Sequence, residues 1–232
     1  MHTVPLGDSG IQVTPLCLGS WNMAGDDGWG PDDDDRAVAL IHHALAMGCN
    51  FVDTARGYGR GHAETVVGKA IKGRRDQVVV ATKMLHCPPA RVNTELEASL
   101  ACLGTDYIDL YICHWPRPSL PLEPFFEELA GEREAGRIRA IGVSNFSLHQ
   151  LEIARQYDVV SLQPPMSILW RFPDATREFC RQRGIAITPY SPLAQGLLTG
   201  RFTTGAGTIG GIRSRNQLFS EDILPESLAV AQ

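Results

Sequence analysis

Residues 77–114, QVVVATKMLHCPPARVNTELEASLACLGTDYIDLYICH, hold two apolar runs with a helical stretch between them. Gln77 to Thr82 and Ile108 to Cys113 read as strands. Arg91 to Leu103 places Val92, Leu96, Leu100 and Leu103 on one face and stops at Gly104, a residue suited to the left-handed position after a helix. A strand, a helix and a strand in this order make a parallel pair with a crossover helix.

The same alternation continues in both directions. Further strands are expected at Leu16 to Gly19, Asn50 to Asp53, Ile138 to Val143, Val159 to Leu162 and Ile185 to Thr188, giving seven parallel strands. Before them, Gly7-Asp8-Ser9-Gly10 lies between two short runs in residues 3–14 and reads as a hairpin. Asp33 to Met47 carries Val38, Ile41 and Leu45 on one face and ends at Gly48, while Ser147 and Gln150 form a capping box opening a helix through Tyr157. One apolar stripe per helix fits packing against a sheet or barrel wall. The acidic run Asp32 to Asp35 is better read as a helix start than as a cation site, because negative charge there complements the helix dipole. Trp115 to Pro124 reads as a long loop, with helical pattern resuming at Phe125.

The 232 residues carry 21 Lys+Arg against 26 Asp+Glu, a net charge of −5, with 44% hydrophobic residues. This balance suits a single globular domain, residues 1–232, and argues against disorder. It also argues against nucleic acid as a partner, since no cationic excess exists to neutralise phosphates. The longest uncharged stretch, Gly184 to Gly200, contains Pro189 and Pro192 and cannot be a continuous membrane helix. The opening MHTVPLGDSG lacks a secretory pattern, so a cytoplasmic location is expected. Six scattered cysteines without a CxxC pair suit reduced, mostly buried thiols; neither a disulfide framework nor a metal site is expected.

Polar residues fall at the strand ends: Asp53, Lys83, His114, Ser144 with Asn145, Gln163 and Tyr190. Singly, Asp53 suits a turn cap, Lys83 an exposed cation and His114 a buried imidazole. In a parallel barrel, however, all these ends share one mouth, the face that carries catalysis. A buried Lys83 needs a carboxylate, and Asp53 on the neighbouring strand provides one. Tyr58 lies on a glycine-flanked loop that can return its phenol to the mouth. An ammonium nearby lowers a phenol's pKa and fits it for general-acid work. Tyr58 would give the proton, Lys83 would tune it, Asp53 would hold Lys83, and His114 would orient the substrate oxygen. Hydride would have to come from a cofactor, since no side chain supplies it.

Five motifs, Asp53-Thr-Ala-x-x-Tyr58-Gly, Ala81-Thr-Lys83, Asp109-Leu-Tyr-x-x-His114-Trp-Pro, Gly142-Val-Ser-Asn145-Phe and the segment Tyr190 to Gly200, occur in order at barrel spacing. Together they resemble the aldo/keto reductase family, with the nearest likeness to bacterial members akin to potassium-channel β subunits and aryl-alcohol dehydrogenases. The resemblance implies a (β/α)8 TIM barrel and NADPH-dependent reduction of an aldehyde or ketone, NADH not being excluded. Its implied catalytic tetrad is Asp53, Tyr58, Lys83 and His114. It also implies that Ser144, Asn145 and Gln163 hold the nicotinamide carboxamide, that Tyr190 stacks on the ring, and that Ser191, Pro192, Leu193, Gln195, Gly196 and Leu197 follow the diphosphate. Gly57-Tyr-Gly-Arg-Gly61 lacks the spacing of a dinucleotide fingerprint.

Trp21, Met23, Trp29 and Trp115 fall on loops after strands, where some are expected to form an apolar wall for the carbonyl substrate, loop packing being the alternative for any single one. After the seventh strand a Gly/Thr-rich loop, Thr203 to Gly211, leads to Arg213-Ser-Arg-Asn-Gln-Leu-Phe219 and a helix near Glu226. Against the family pattern, the eighth strand and final helix are lacking, which implies a C-terminally truncated barrel. Its open strand edges predict marginal stability or self-association. The alternatives are a non-catalytic, nicotinamide-binding regulatory subunit and an inactive fragment.

Overall fold

A computed structural model describes residues 1–25, 29, 33–202 and 210–231. Asp32 of the acidic run and residues 203–209 of the expected Gly/Thr-rich loop lie outside the described residues. A two-stranded antiparallel hairpin, β1 (Val4–Pro5) and β2 (Gln12–Val13), comes first, turning through Gly7–Ser9. Seven parallel strands then pair in chain order: β3 (Leu18–Gly19), β4 (Phe51–Asp53), β5 (Val79–Met84), β6 (Ile108–Cys113), β7 (Ile138–Ser144), β8 (Val159–Gln163) and β9 (Ala186–Ile187). Among the described residues β3 and β9 do not pair with each other, so this α/β barrel is open at one seam.

The α-helices among the described residues are α1 (Asp34–Ala46), α2 (His62–Ile71), α3 (Val92–Leu103), α4 (Glu123–Glu134), α5 (Leu148–Ala154), α6 (Asp174–Gln182) and α7 (Leu224–Ala231). Asp33 caps α1 by accepting from the backbone N–H groups of Asp35 and Arg36, as expected of that acidic start. Ser147 and Gln150 complete their capping box on α5, and Gly104 ends α3 in the left-handed conformation. Helices α2 and α6 were not anticipated. Helix α2 contains Gly68, where a Cβ would sit 2.6 Å from the Leu103 carbonyl oxygen; the glycine lets α2 lie directly on the end of α3.

Strand alternation divides the core in two. Phe51, Val79, Ala81, Leu110, Ile112 and Ala140 face inward and meet Leu6, Ile11 and Val13 of the hairpin. Val52, Val80, Met84, Tyr111 and Cys113 face outward beneath the helices. Because side chains alternate along a strand, Asp53 continues the inward row of Phe51, Lys83 that of Val79 and Ala81, and His114 that of Leu110 and Ile112. Lys83 is thus the fifth residue of β5 instead of the first after it, which leaves its inward direction unchanged. All six cysteines carry free thiols, four of them buried. No described helix is long and apolar enough to cross a membrane.

Candidate active site

Register brings the polar strand ends together: Asp53 lies opposite Ala81, Lys83 opposite Ile112, and Ser144 opposite Gln163. The chain after β4 is stitched to β5, with Thr54 N–H donating to the Ala81 carbonyl at 2.9 Å and Arg56 N–H to that of Lys83 at 3.0 Å. This turns Tyr58 back over the strand ends. Lys83 is fully buried, and its ammonium donates to Asp53 Oδ1 at 2.5 Å, to the Thr54 carbonyl at 2.7 Å and to Tyr58 Oη at 3.2 Å. Three N–H bonds thus meet three oxygens. Burial opposes the charge on Lys83, but the Asp53 carboxylate and Tyr58 outweigh it and move the pKa upward.

The His114 ring lies edge-on to Tyr58, with centroids 5.8 Å apart. Burial, reinforced by the Lys83 charge, lowers its pKa to about 3, so the imidazole is neutral near neutral pH. Trp21 stacks on Tyr58 with centroids 5.9 Å apart, and Trp29 meets Trp21 edge-on.

A cavity of about 1700 Å3 opens from these groups along the seam of the barrel. Trp21, Trp29 and Trp115 line it as expected. Met23 does not; it is buried in the outer core under the helices, because its turn directs the thioether away from the mouth.

Of the residues implied to hold a cofactor, Asn145, Gln163, Tyr190, Ser191, Pro192, Gln195 and Gly196 line the cavity. Ser144 is buried behind them and donates to the Gln163 carbonyl at 2.8 Å. Asn145, with φ of 61°, donates from Nδ2 to the His114 carbonyl at 3.0 Å and accepts the Tyr190 hydroxyl at 2.9 Å. Burial and the nearby Tyr58 push the Tyr190 phenol up to about 12. Gln163 donates its amide to Asp53 Oδ2 at 3.0 Å.

Leu193 is exposed and Leu197 is fully buried in a separate core with Leu218, Phe219 and Leu228. Neither residue lines the cavity. The segment itself is bent sharply, with Ser191, Ala194, Gln195 and Gly196 all at positive φ, and Gln195 Oε1 is buried with no hydrogen-bond partner among the described residues. Backbone held in this conformation is a common feature of ligand clamps.

Arg213 lies outside the five motifs. It lines the same cavity, lies 4.8 Å from the Trp29 ring centroid and donates from Nε to the Gln195 carbonyl. Its only sequence signal is an isolated pair of arginines beside a glycine-rich stretch.

Comparison with known proteins gives a consistent picture. Residues 15–229 match the model of the aldo/keto reductase family. The chain is 39% identical over 217 residues to the aldo-keto reductase YhdN of Bacillus subtilis, covering 88% of this chain and 65% of that protein. It is 34% identical over 253 residues to the NADH-specific methylglyoxal reductase of Escherichia coli, covering 96% and 76% respectively. Among solved structures, an aldo-keto reductase of Klebsiella pneumoniae in complex with NADPH superposes with a TM-score of 0.76 at 30% identity, covering 86% of this chain and 70% of that one. The chain therefore spans about two thirds of the length of the Bacillus relative.

Proposed function

The chain belongs to the aldo/keto reductase family, and on that premise we propose that it reduces an aldehyde or ketone to the alcohol, using a nicotinamide cofactor and Tyr58 as proton donor. The observation that carries this reading is the buried Lys83 ammonium between Asp53 and Tyr58 at the head of a large cavity. A charge this deep in a protein needs compensation, and here the compensation is shared with a phenol that faces solvent-accessible space.

The cavity wall suits a dinucleotide. Amide and hydroxyl groups of Asn145, Gln163 and Tyr190 stand near the tetrad, Gln195 lines the wall further out, and Arg213 offers a cation to a diphosphate. Bound there, a reduced nicotinamide would supply the hydride. The protein's part is the proton. Tyr58 donates its Oη hydrogen to the carbonyl oxygen as that oxygen gains charge, and the phenolate left behind faces the Lys83 ammonium. Neutral His114 orients the same oxygen by donating an imidazole N–H. Trp21, Trp29, Trp115 and Leu85 form an apolar approach, which favours carbonyl compounds with hydrophobic substituents. NADPH is the expected cofactor, with NADH the comparison, since the Escherichia coli relative is NADH-specific.

The test is oxidation of NADPH, and separately NADH, with 4-nitrobenzaldehyde by this chain and its Tyr58→Phe variant. Turnover by the wild type that falls in the variant is the expected result. Equal inactivity of both proteins, shown folded by circular dichroism, overturns the reading. Fluorescence titration of the same samples separates a chain that binds cofactor without turnover from one that binds none.

A further inference from the structure

Asp53 and Gln163 are 110 positions apart in the chain, yet Gln163 Nε2 lies 3.0 Å from Asp53 Oδ2. We infer that Gln163 is a positioning residue for the proton relay: its amide fixes the Asp53 carboxylate that holds Lys83 against Tyr58, and the same amide is shared with whatever binds beside it in the cavity.

The carboxylate has two jobs on two oxygens. Oδ1 takes the Lys83 ammonium at 2.5 Å and Oδ2 takes Gln163. The amide must present nitrogen here, because a carbonyl oxygen against a carboxylate oxygen repels. Gln163 is itself fixed at the end of β8, where its carbonyl accepts from Ser144 Oγ and from the Asn145 N–H. Its residue surface is largely buried, and the bond to Asp53 lies at the cavity wall.

The consequence for Tyr58 follows from charge. An N–H donated to Asp53 withdraws part of its negative charge, so less of the Lys83 charge is cancelled and more acts on the phenol. Among the described residues, the ionisable groups around this point are Lys83 on β5, Asp53 on β4, His114 after β6, Tyr190 after β9, Cys17 before β3 and Glu64 on α2. An amide has a second N–H and a carbonyl oxygen. Those are what Gln163 has to offer a primary carboxamide while it keeps Asp53, so occupation of the nicotinamide site and orientation of the relay meet in one side chain. The identity of that carboxamide rests on the reductase reading; the hold on Asp53 does not.

The experiment reads Tyr58 directly in the cofactor-free chain. Tyrosinate absorbance is followed through an alkaline titration, and the step that Tyr58→Phe removes is assigned to Tyr58. Gln163→Met keeps the length and loses the amide; Gln163→Glu places a second carboxylate beside Asp53 at the pH where tyrosines ionise. The expected order is an upward shift of the Tyr58 midpoint by about half a unit in Gln163→Met and about a unit or more in Gln163→Glu. A residue that only filled space would not produce this order. An unchanged midpoint in folded Gln163→Met overturns the inference whatever Gln163→Glu does, since an added carboxylate shifts the phenol by charge alone, as does a wild-type curve from which Tyr58→Phe removes no step. Thermal melts establish that the variants are folded; if Gln163→Met is not, the neutral Gln163→Leu against wild type decides by the same criterion. A shift in a chain that reduces no carbonyl supports the inference while the proposed function fails. Turnover without any shift does the reverse.

Discussion

At the residue scale, the site combines a permanent cation with a neutral imidazole. Replacing Tyr58 by Phe removes the proton donor and leaves the apolar ring, so turnover is expected to fall by about 10²- to 10⁴-fold with cofactor affinity largely retained. His114 gives a separate test through stability. Its folded pKa, about 3, lies below its ordinary 6.5, so the unfolded chain binds more protons between those values. Stability contributed by this group is therefore present above its ordinary pKa and lost progressively as pH falls toward 3. Urea midpoints measured from about pH 7 to about pH 4 should fall, and a folded His114→Gln variant should show a flatter dependence. An equal slope in both proteins contradicts the assignment. Most of this site was legible in the sequence because each strand is a local apolar run and each polar residue is its conspicuous end. The direction of Met23 was not legible, since a loop residue's side chain is placed by the packing around it.

At the element scale, the strand interiors hold a feature that local pattern reading passes over. Asp109 is a charge inside the run Ile108 to Cys113 and is almost fully buried. Its oxygens take Arg75 and Arg139 at 2.7 Å each and the Val80 N–H at 2.9 Å, tying the starts of β5, β6 and β7 at the end opposite the site. Asp109→Ala removes the shared carboxylate and leaves the Val80 N–H unpaired, while Arg75 keeps Thr105 and the Val78 and Tyr107 carbonyls and Arg139 is half exposed, so it should cost about 1 to 3 kcal/mol in urea denaturation. A change near zero would show that solvent satisfies the groups left behind. On β7, Gly142 is required by contact: a Cβ there would sit 2.5 Å from Ser161 Oγ and 3.1 Å from Ile112. The sequence displays both residues but not these reasons. Helices α2 and α6 escaped for related causes, α2 carrying an interior glycine and α6 being short and polar over most of its surface.

At the scale of the whole molecule, the row of seven strands leaves β3 and β9 with unpaired outer edges among the described residues, and the cavity runs along the seam between them. Exposed strand edges beside apolar surface promote pairing with another chain. The 232-residue chain is accordingly expected to self-associate, giving concentration-dependent elution in size-exclusion chromatography and a broad melt. A sharp monomer peak with a cooperative transition contradicts this. Added NADPH should raise the melting temperature if it binds the folded form alone.

The sequence by itself determined the parallel strand order, the hairpin, the helix caps, and the delivery of Asp53, Lys83, His114 and Gln163 to one mouth, because alternation and capping are written in neighbouring residues. Only the tertiary structure decided which groups touch. The Gln163 amide on Asp53, the use of all three Lys83 hydrogens, Arg213 against the Gln195 backbone and the burial of Asp109 between two arginines join positions remote in the chain. Such contacts depend on distances of a few ångströms set by the packing of the whole sheet, which no local spacing encodes.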